Sequence, residues 1–180
     1  MTLFFPPGVD VMFSRHLHKL LRYRAWADRL IYDAVAALPE GEAIAQRATI
    51  FGNMLRTLSH TYVVDDIFQA HLQGRAHGYT SRNTDEPLAL DELWQRQQAI
   101  NDWYLNYAQA LSPEQAAEVL TFQFIGGGEG RMSREEMILH VVNHATYHRG
   151  FVADMFYQVP ARPPATDLPV FLRDVPQELG

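Results

Sequence analysis

Three histidines recur at intervals of four residues near the end of the chain: His140, His144 and His148. At about 100° per residue, this spacing places all three on one face of a helix. A neutral imidazole is a good ligand for zinc, nickel, copper or iron, and two imidazoles four residues apart can reach the same ion. The rise from His140 to His148 is about 12 Å, whereas a metal–nitrogen bond is about 2 Å. One of the three must therefore play another part, and a third ligand must come from elsewhere.

The third ligand must be His, Asp or Glu, because the chain of 180 residues contains no cysteine. His60 lies in a segment with helical periodicity and shares a largely apolar face with Val64 and Ile67. A histidine on such a face needs either a hydrogen-bond partner or a bound ion. A lone histidine more often has a partner, but beside an HxxxH pair His60 is the best candidate ligand. His71, further along the same face, is the rival.

Asn143 and Tyr147 flank the histidine face of the last helix. We expect them to donate or accept hydrogen bonds at the outer ring nitrogens, since such bonds fix the orientation of metal-binding imidazoles.

Apolar residues recur at helical spacing in four segments, residues 10–38, 50–72, 90–111 and 134–157. Thr49 is the expected N-cap of the second helix, and Ser133 with Glu136 forms a capping box before the fourth. The segment Val119–Ile125 is rich in β-branched and aromatic residues and is followed by a glycine-rich turn. The sequence thus predicts an all-α, up-and-down four-helix bundle with a short hairpin or loop before the last helix.

Length and composition exclude several classes of protein. With 47% apolar residues, the chain has enough core for one domain, which we expect to span residues 1–180. The net charge is −6 and the sequence has no run of Lys or Arg, so it gives no indication of nucleic-acid binding. No window has 18 unbroken apolar residues and the N-terminus lacks a basic leader, so we expect a cytoplasmic protein with no membrane partner.

The last helix is apolar on more than one side, including the side away from its histidines. A helix with two apolar faces is either central in its domain or shared with a second subunit. We expect a homodimer. The proline-rich tail from Pro160 carries a short apolar patch, Val170-Phe171-Leu172, that is expected to pack on the helices.

Several segments taken together resemble the DinB superfamily of four-helix-bundle metalloenzymes over nearly the whole chain. They are RYRAWAD (22–28), SHTYVVDDIF (59–68), the glycine-rich turn, NHATYHRG (143–150) and TDLPVFLRD (166–174). The resemblance implies that His60, His144 and His148 bind a divalent metal ion, nickel or zinc, in a homodimer. His140 is then a neighbour of the ligands. Phe151 stands where the family usually has glutamine, which removes a polar group from the wall of the pocket.

Three histidine ligands leave coordination positions open, as in catalytic metal sites. The resemblance implies a small-molecule substrate and includes S-transferases that depend on a low-molecular-weight thiol, together with maleylpyruvate isomerases. The alternatives are a metal-dependent hydrolase and a non-catalytic metal-binding dimer.

Arg149 and Tyr147 are candidates for orienting a thiol cofactor or substrate, although the helical position of Arg149 points away from the histidines and also suits a subunit interface. A zincin protease is disfavoured because Val141 and Ala145 follow the histidines where HExxH requires glutamate. A ferritin-like di-iron centre is disfavoured, because Glu136 and His140 lack the Glu-x-x-His spacing.

Overall fold

The structure, a computed structural model, describes residues 9–84 and 86–176, with side chains described from residue 15 onward. Within these residues the predicted mostly helical fold is confirmed, with six helices and one two-stranded antiparallel sheet. The elements are α1 (Val9–Ala36), α2 (Met54–Gln73), α3 (Leu90–Ala110), α4 (Pro113–Ala116), β1 (Val119–Gln123), β2 (Glu129–Ser133), α5 (Arg134–Phe156) and α6 (Leu168–Asp174).

The N-terminus of α2 differs from the sequence-based prediction, which placed the N-cap at Thr49. The residue that caps α2 is Asn53, whose Oδ1 accepts a hydrogen bond of 2.8 Å from the N–H of Arg56. Gly52 has a φ of 79°, a left-handed conformation that a helix cannot contain, so helical geometry begins only after it. By contrast, the predicted capping box of Ser133 and Glu136 at the start of α5 is confirmed.

Replacing Asn53 with alanine is expected to lower the free energy of unfolding by about 1 kcal/mol, because the N–H of Arg56 loses its acceptor. The Asn53→Asp variant is the matched control, since a carboxylate also accepts this bond. Urea denaturation followed by circular dichroism measures both variants. Equal losses in the two variants would contradict a capping role for Asn53.

The strands β1 and β2 form a hairpin with a register that runs from Val119 opposite Ser133 to Gln123 opposite Glu129. Phe122 anchors it: the ring is buried and lies 5.8 Å from the ring of Phe68 on α2. Gly130 makes room for this ring, because a Cβ there would come within 2.4 Å of Phe122. The hairpin is thereby held against α2 beside the start of α5.

The four long helices contact one another in four pairs: α2 with α5, α1 with α3, α1 with α5, and α2 with α3. The tail returns to this assembly through α6, whose Phe171 is buried against Tyr23 and Trp26 of α1. The expectation that this patch packs on the helices is therefore confirmed for Phe171, whereas Leu172 is 41% exposed. No helix in the described part of the chain is both long and apolar enough to cross a bilayer.

The apolar residues on the far side of α5 are covered within the chain itself. Each is at most 6% exposed, and the set comprises Ile138, Val141, Val142, Ala145 and Val152. The sequence left open whether α5 is central or shared with a second subunit, and the structure shows that it is central. The argument for a dimer from these residues is therefore wrong, because α1 and α2 already cover them.

Candidate metal centre

One histidine from α2 and two from α5 meet on the inside of the helical assembly. Ring nitrogens of His60, His144 and His148 all lie within 4.8 Å of one another, and the Nε2 atoms of His60 and His144 are 3.2 Å apart. Three imidazole nitrogens that converge to this degree are compatible with shared coordination of one metal ion. Within the part of the chain that the structure describes, this is the one group of three or more potential metal ligands.

His60 is oriented by the loop between α2 and α3. Its Nδ1 lies 3.0 Å from the carbonyl oxygen of Arg82 and 2.8 Å from Oδ1 of Asn83. A carbonyl oxygen can only accept, so Nδ1 carries the proton and Nε2 presents its lone pair to the cluster. The sequence indicated only a polar linker here, and nothing in its composition could have assigned this role to Arg82 and Asn83.

The ring of Phe51 packs against two of the three histidines. Phe51 stacks on His60 with a centroid distance of 4.6 Å and meets His148 edge-on at 5.2 Å.

Burial, with smaller contributions from His148 and His60, lowers the pKa of His144 to about 2. Burial and the neighbouring His60 lower the pKa of His148 to about 4. At neutral pH these imidazoles are uncharged, which is the form that binds metal.

Metal-free protein is expected to lose stability as the pH falls from about 6.5 towards 4. The pKa of His148 is 6.5 in the unfolded chain and about 4 in the folded chain. Between these two values the unfolded chain binds a proton at His148, whereas the folded chain does not. The free energy of unfolding therefore decreases as the pH falls. Thermal denaturation after treatment with EDTA measures the slope. The His148→Ala variant should show a shallower slope, and an unchanged slope would show that His148 does not cause it.

The other predicted residues lie around this cluster in different ways. His140 is half-buried with its ring 5.5 Å from that of His144, outside the group of converging nitrogens. Asn143 is exposed and Tyr147 is 64% exposed. The Nδ1 atoms of His144 and His148 have no hydrogen-bond partner among the described residues. The hydrogen bonds predicted from Asn143 and Tyr147 are thus not formed in this structure.

Two aromatic neighbours complete the surroundings of His148. The centroid of the Tyr147 ring lies 5.0 Å from that of His148, with the two rings edge-on. The centroid of the Phe151 ring lies 5.8 Å from it, at the position where related sequences usually have glutamine. The rival ligand His71 packs instead against Phe122 and His77, with centroid distances of 4.7 Å and 5.5 Å. His71 is therefore not part of the converging group, and His60 is the α2 histidine that is.

A family model described as the DinB family matches residues 12–178. The chain belongs to the DinB family. It is 26% identical to Protein DinB of Bacillus subtilis (strain 168) over 165 residues, which cover 86% of this chain and 92% of that protein. The crystal structure of a DinB-like protein from Bacillus cereus ATCC 10987 matches with a TM-score of 0.59 at 14% identity, covering 81% of this chain and 94% of that chain. The first relative supports the family assignment, and the second shows the fold.

In this DinB-family chain a buried ion network links α1 to both histidine-bearing helices. Arg24 pairs with Asp65 and lies 3.4 Å from Asp28, and all three side chains are at most 9% exposed. Asp28 in turn accepts from Arg149 at 3.3 Å. Since Asp65 follows His60 by five residues on α2 and Arg149 follows His148 directly on α5, this network fixes the two helices relative to each other.

Arg149 points away from the histidines, as its helical position predicts. It is 5% exposed and donates to the hydroxyl of Tyr23 at 3.0 Å in addition to its ion pair with Asp28. It is therefore a core residue, and neither its suggested contact with a subunit interface nor its suggested contact with a thiol cofactor is consistent with this position.

A cavity of about 300 Å³ lies beside the histidine cluster in this DinB-family fold. It is enclosed by α2, α5, the β1–β2 hairpin and the loop that contains Arg82. His144 lines it and also belongs to the converging histidines. A small molecule in the cavity would therefore be in contact with the candidate metal centre.

Proposed function

We propose that this DinB-family chain is a metal-dependent enzyme in which His60, His144 and His148 bind one divalent ion, nickel or zinc. The observation that supports the proposal most strongly is that His144 belongs to the histidine cluster and also lines the 300 Å³ cavity. A site that only stabilised the fold would be closed by a fourth protein ligand, whereas three ligands beside a cavity leave room for a substrate.

The reaction that we propose is the transfer of a low-molecular-weight thiol, through its sulfur, to an electrophilic small molecule. A C–S bond forms as the S–H bond breaks, and the electrophile either takes up the proton or releases a leaving group. A divalent ion on three neutral ligands keeps its full charge and lowers the pKa of a bound thiol or water by several units. The thiol must come from a cofactor, since the chain has no cysteine. The residues of the chain hold the site: Asn83 and the Arg82 carbonyl orient His60, and the ring of Phe51 stacks on it.

A metal-dependent hydrolase is the second candidate, and the size of the cavity favours it. At about 300 Å³ the cavity is at the lower end of the range for ligand pockets. A water molecule beside a small ester or amide fits this space more easily than a peptide-sized thiol.

The test uses protein purified without a nickel column, with its metal measured by elemental analysis. The protein is then assayed with glutathione, bacillithiol and mycothiol against an aromatic electrophile, and with a model ester alone. Thiol conjugation that is lost in His148→Ala but kept in His16→Ala, an exposed histidine of α1, supports the transferase. Ester hydrolysis with the same dependence and no conjugation supports the hydrolase. Stability that depends on metal without any turnover would contradict an enzyme and indicate a metal-binding structural protein.

We further propose that the four helix pairs in contact form the up-and-down bundle expected from the sequence, and that the chain is a homodimer. The support for the dimer is now the exposed apolar side chains, among them Ile50 at 80% and Ile44 at 60%. Light scattering at micromolar concentration tests it. A monomer with metal bound would contradict the dimer and leave the metal site unaffected.

A further inference from the structure

The cavity beside the histidine cluster has a mostly apolar and aromatic wall. Ile67 and Phe68 line it from α2, and Phe122, Ile125 and Met132 line it from the hairpin. Burying an apolar group against such a wall is favourable by about 25 cal/mol per Å². A sugar or other polyol would lose its hydrogen bonds to water here without finding enough partners. The wall therefore selects for a ligand with an apolar body.

One side chain in the wall of the cavity carries a charge at neutral pH, because burial lowers the pKa of each histidine that lines it. None of the described residues that line it is Asp or Glu, and Arg82 is the one Arg or Lys among them. Arg82 is exposed, lines the cavity and contacts His60 through its carbonyl oxygen, and its charge helps to lower the pKa of His60, so the cation lies on the side of the cavity near the cluster. A guanidinium at the open end of an apolar cavity pairs well with a planar anion such as a carboxylate.

We infer that this cavity binds a small substrate with an aromatic or branched apolar body and a single carboxylate, and that Arg82 is the residue that selects the carboxylate. This inference rests on the proposed function, because it names the substrate class of the same site. The apolar body lies against Phe68 and Phe122, and the carboxylate lies at the end near Arg82 and the histidines. A cavity of about 300 Å³ limits the substrate to a single ring or a short branched chain.

Three probes with the same ring and different charge test the inference by calorimetry: benzoate, benzyl alcohol and benzylamine. The full chain is used both with its metal and after removal of the metal by EDTA. Benzoate is expected to bind up to about 5-fold more tightly than benzyl alcohol in both forms, since an ion pair with an exposed guanidinium contributes up to about 1 kcal/mol. Benzylamine is expected not to bind. The metal-free form separates the contribution of Arg82 from direct coordination of the carboxylate.

The Arg82→Gln variant is expected to bind benzoate no more tightly than benzyl alcohol and to bind benzyl alcohol as the unmodified chain does. The matched control is Arg131→Gln, an exposed arginine of β2 that does not line the cavity. The Met132→Trp variant fills the cavity and should abolish binding of both probes, with circular dichroism and metal content showing that it is folded.

Three results would overturn the inference: equal binding of benzoate and benzylamine, unchanged benzoate binding in Arg82→Gln, or a benzoate preference that disappears when the metal is removed. Binding that survives in folded Met132→Trp would also overturn it, because the probe would then lie elsewhere. Failure of the proposed function has a different signature. Benzoate would still depend on Arg82, while elemental analysis finds no metal or no assay finds turnover.

Discussion

Alanine in place of His60, His144 or His148 is expected to abolish stoichiometric binding of a divalent ion. The nitrogens of these three residues converge within 4.8 Å, so each one removed leaves at most two protein ligands. His140→Ala is expected to lower the affinity only about 10- to 100-fold, which is typical for groups that surround the ligands of a metal. Elemental analysis after dialysis and a competition titration with a chelator measure the two effects.

The control for the metal experiment is His16→Ala, which removes an exposed histidine without touching the cluster. The assignment of ligands fails if His140→Ala loses the ion while His60→Ala retains it, and His71 would then be the next residue to replace. Thermal denaturation of each variant with and without metal separates loss of the ligand from loss of the fold.

Replacing Arg24 with methionine is expected to lower the free energy of unfolding by about 3–5 kcal/mol, the second large effect. Methionine fills much of the same volume but leaves the carboxylates of Asp65 and Asp28 buried without their shared cation. Burial already raises the pKa of Asp65 to about 6, and loss of Arg24 removes the charge that opposes this rise. Gln97 still donates to Asp65 at 2.9 Å, which cannot replace a full charge.

Two further variants sharpen the test of the buried ion pair. The double variant Arg24→Met, Asp65→Leu should recover much of the lost stability, because replacing both members of a buried pair by apolar residues is often neutral. Arg96→Ala removes an exposed pair with Glu92 and should change stability by at most about 1 kcal/mol. Urea denaturation measures all three. A loss below about 1 kcal/mol for Arg24→Met alone would show that the network does not hold α1 against α2.

The helices could be predicted from the sequence because helical periodicity is a local property. The four long segments were placed within four residues of their observed ends, and the capping box at Ser133 was found because its two residues are three positions apart. The error at Thr49 has a local cause as well. A serine, threonine or asparagine can each cap a helix, and the left-handed backbone of Gly52, which moves the start to Asn53, depends on the turn before it.

By itself, the sequence determined that at most two of the three histidines on α5 can share an ion, because the rise of the helix separates His140 from His148 by about 12 Å. It also excluded thiolate ligands. Only the tertiary structure decided between His60 and His71, which share a face of α2 but lie about 16 Å apart along it. The level at which α2 packs against α5 brings His60, and not His71, to His144 and His148. That level is fixed by contacts distant in sequence, such as those of Arg24 with Asp65 and of Asp28 with Arg149, and no local pattern encodes such contacts.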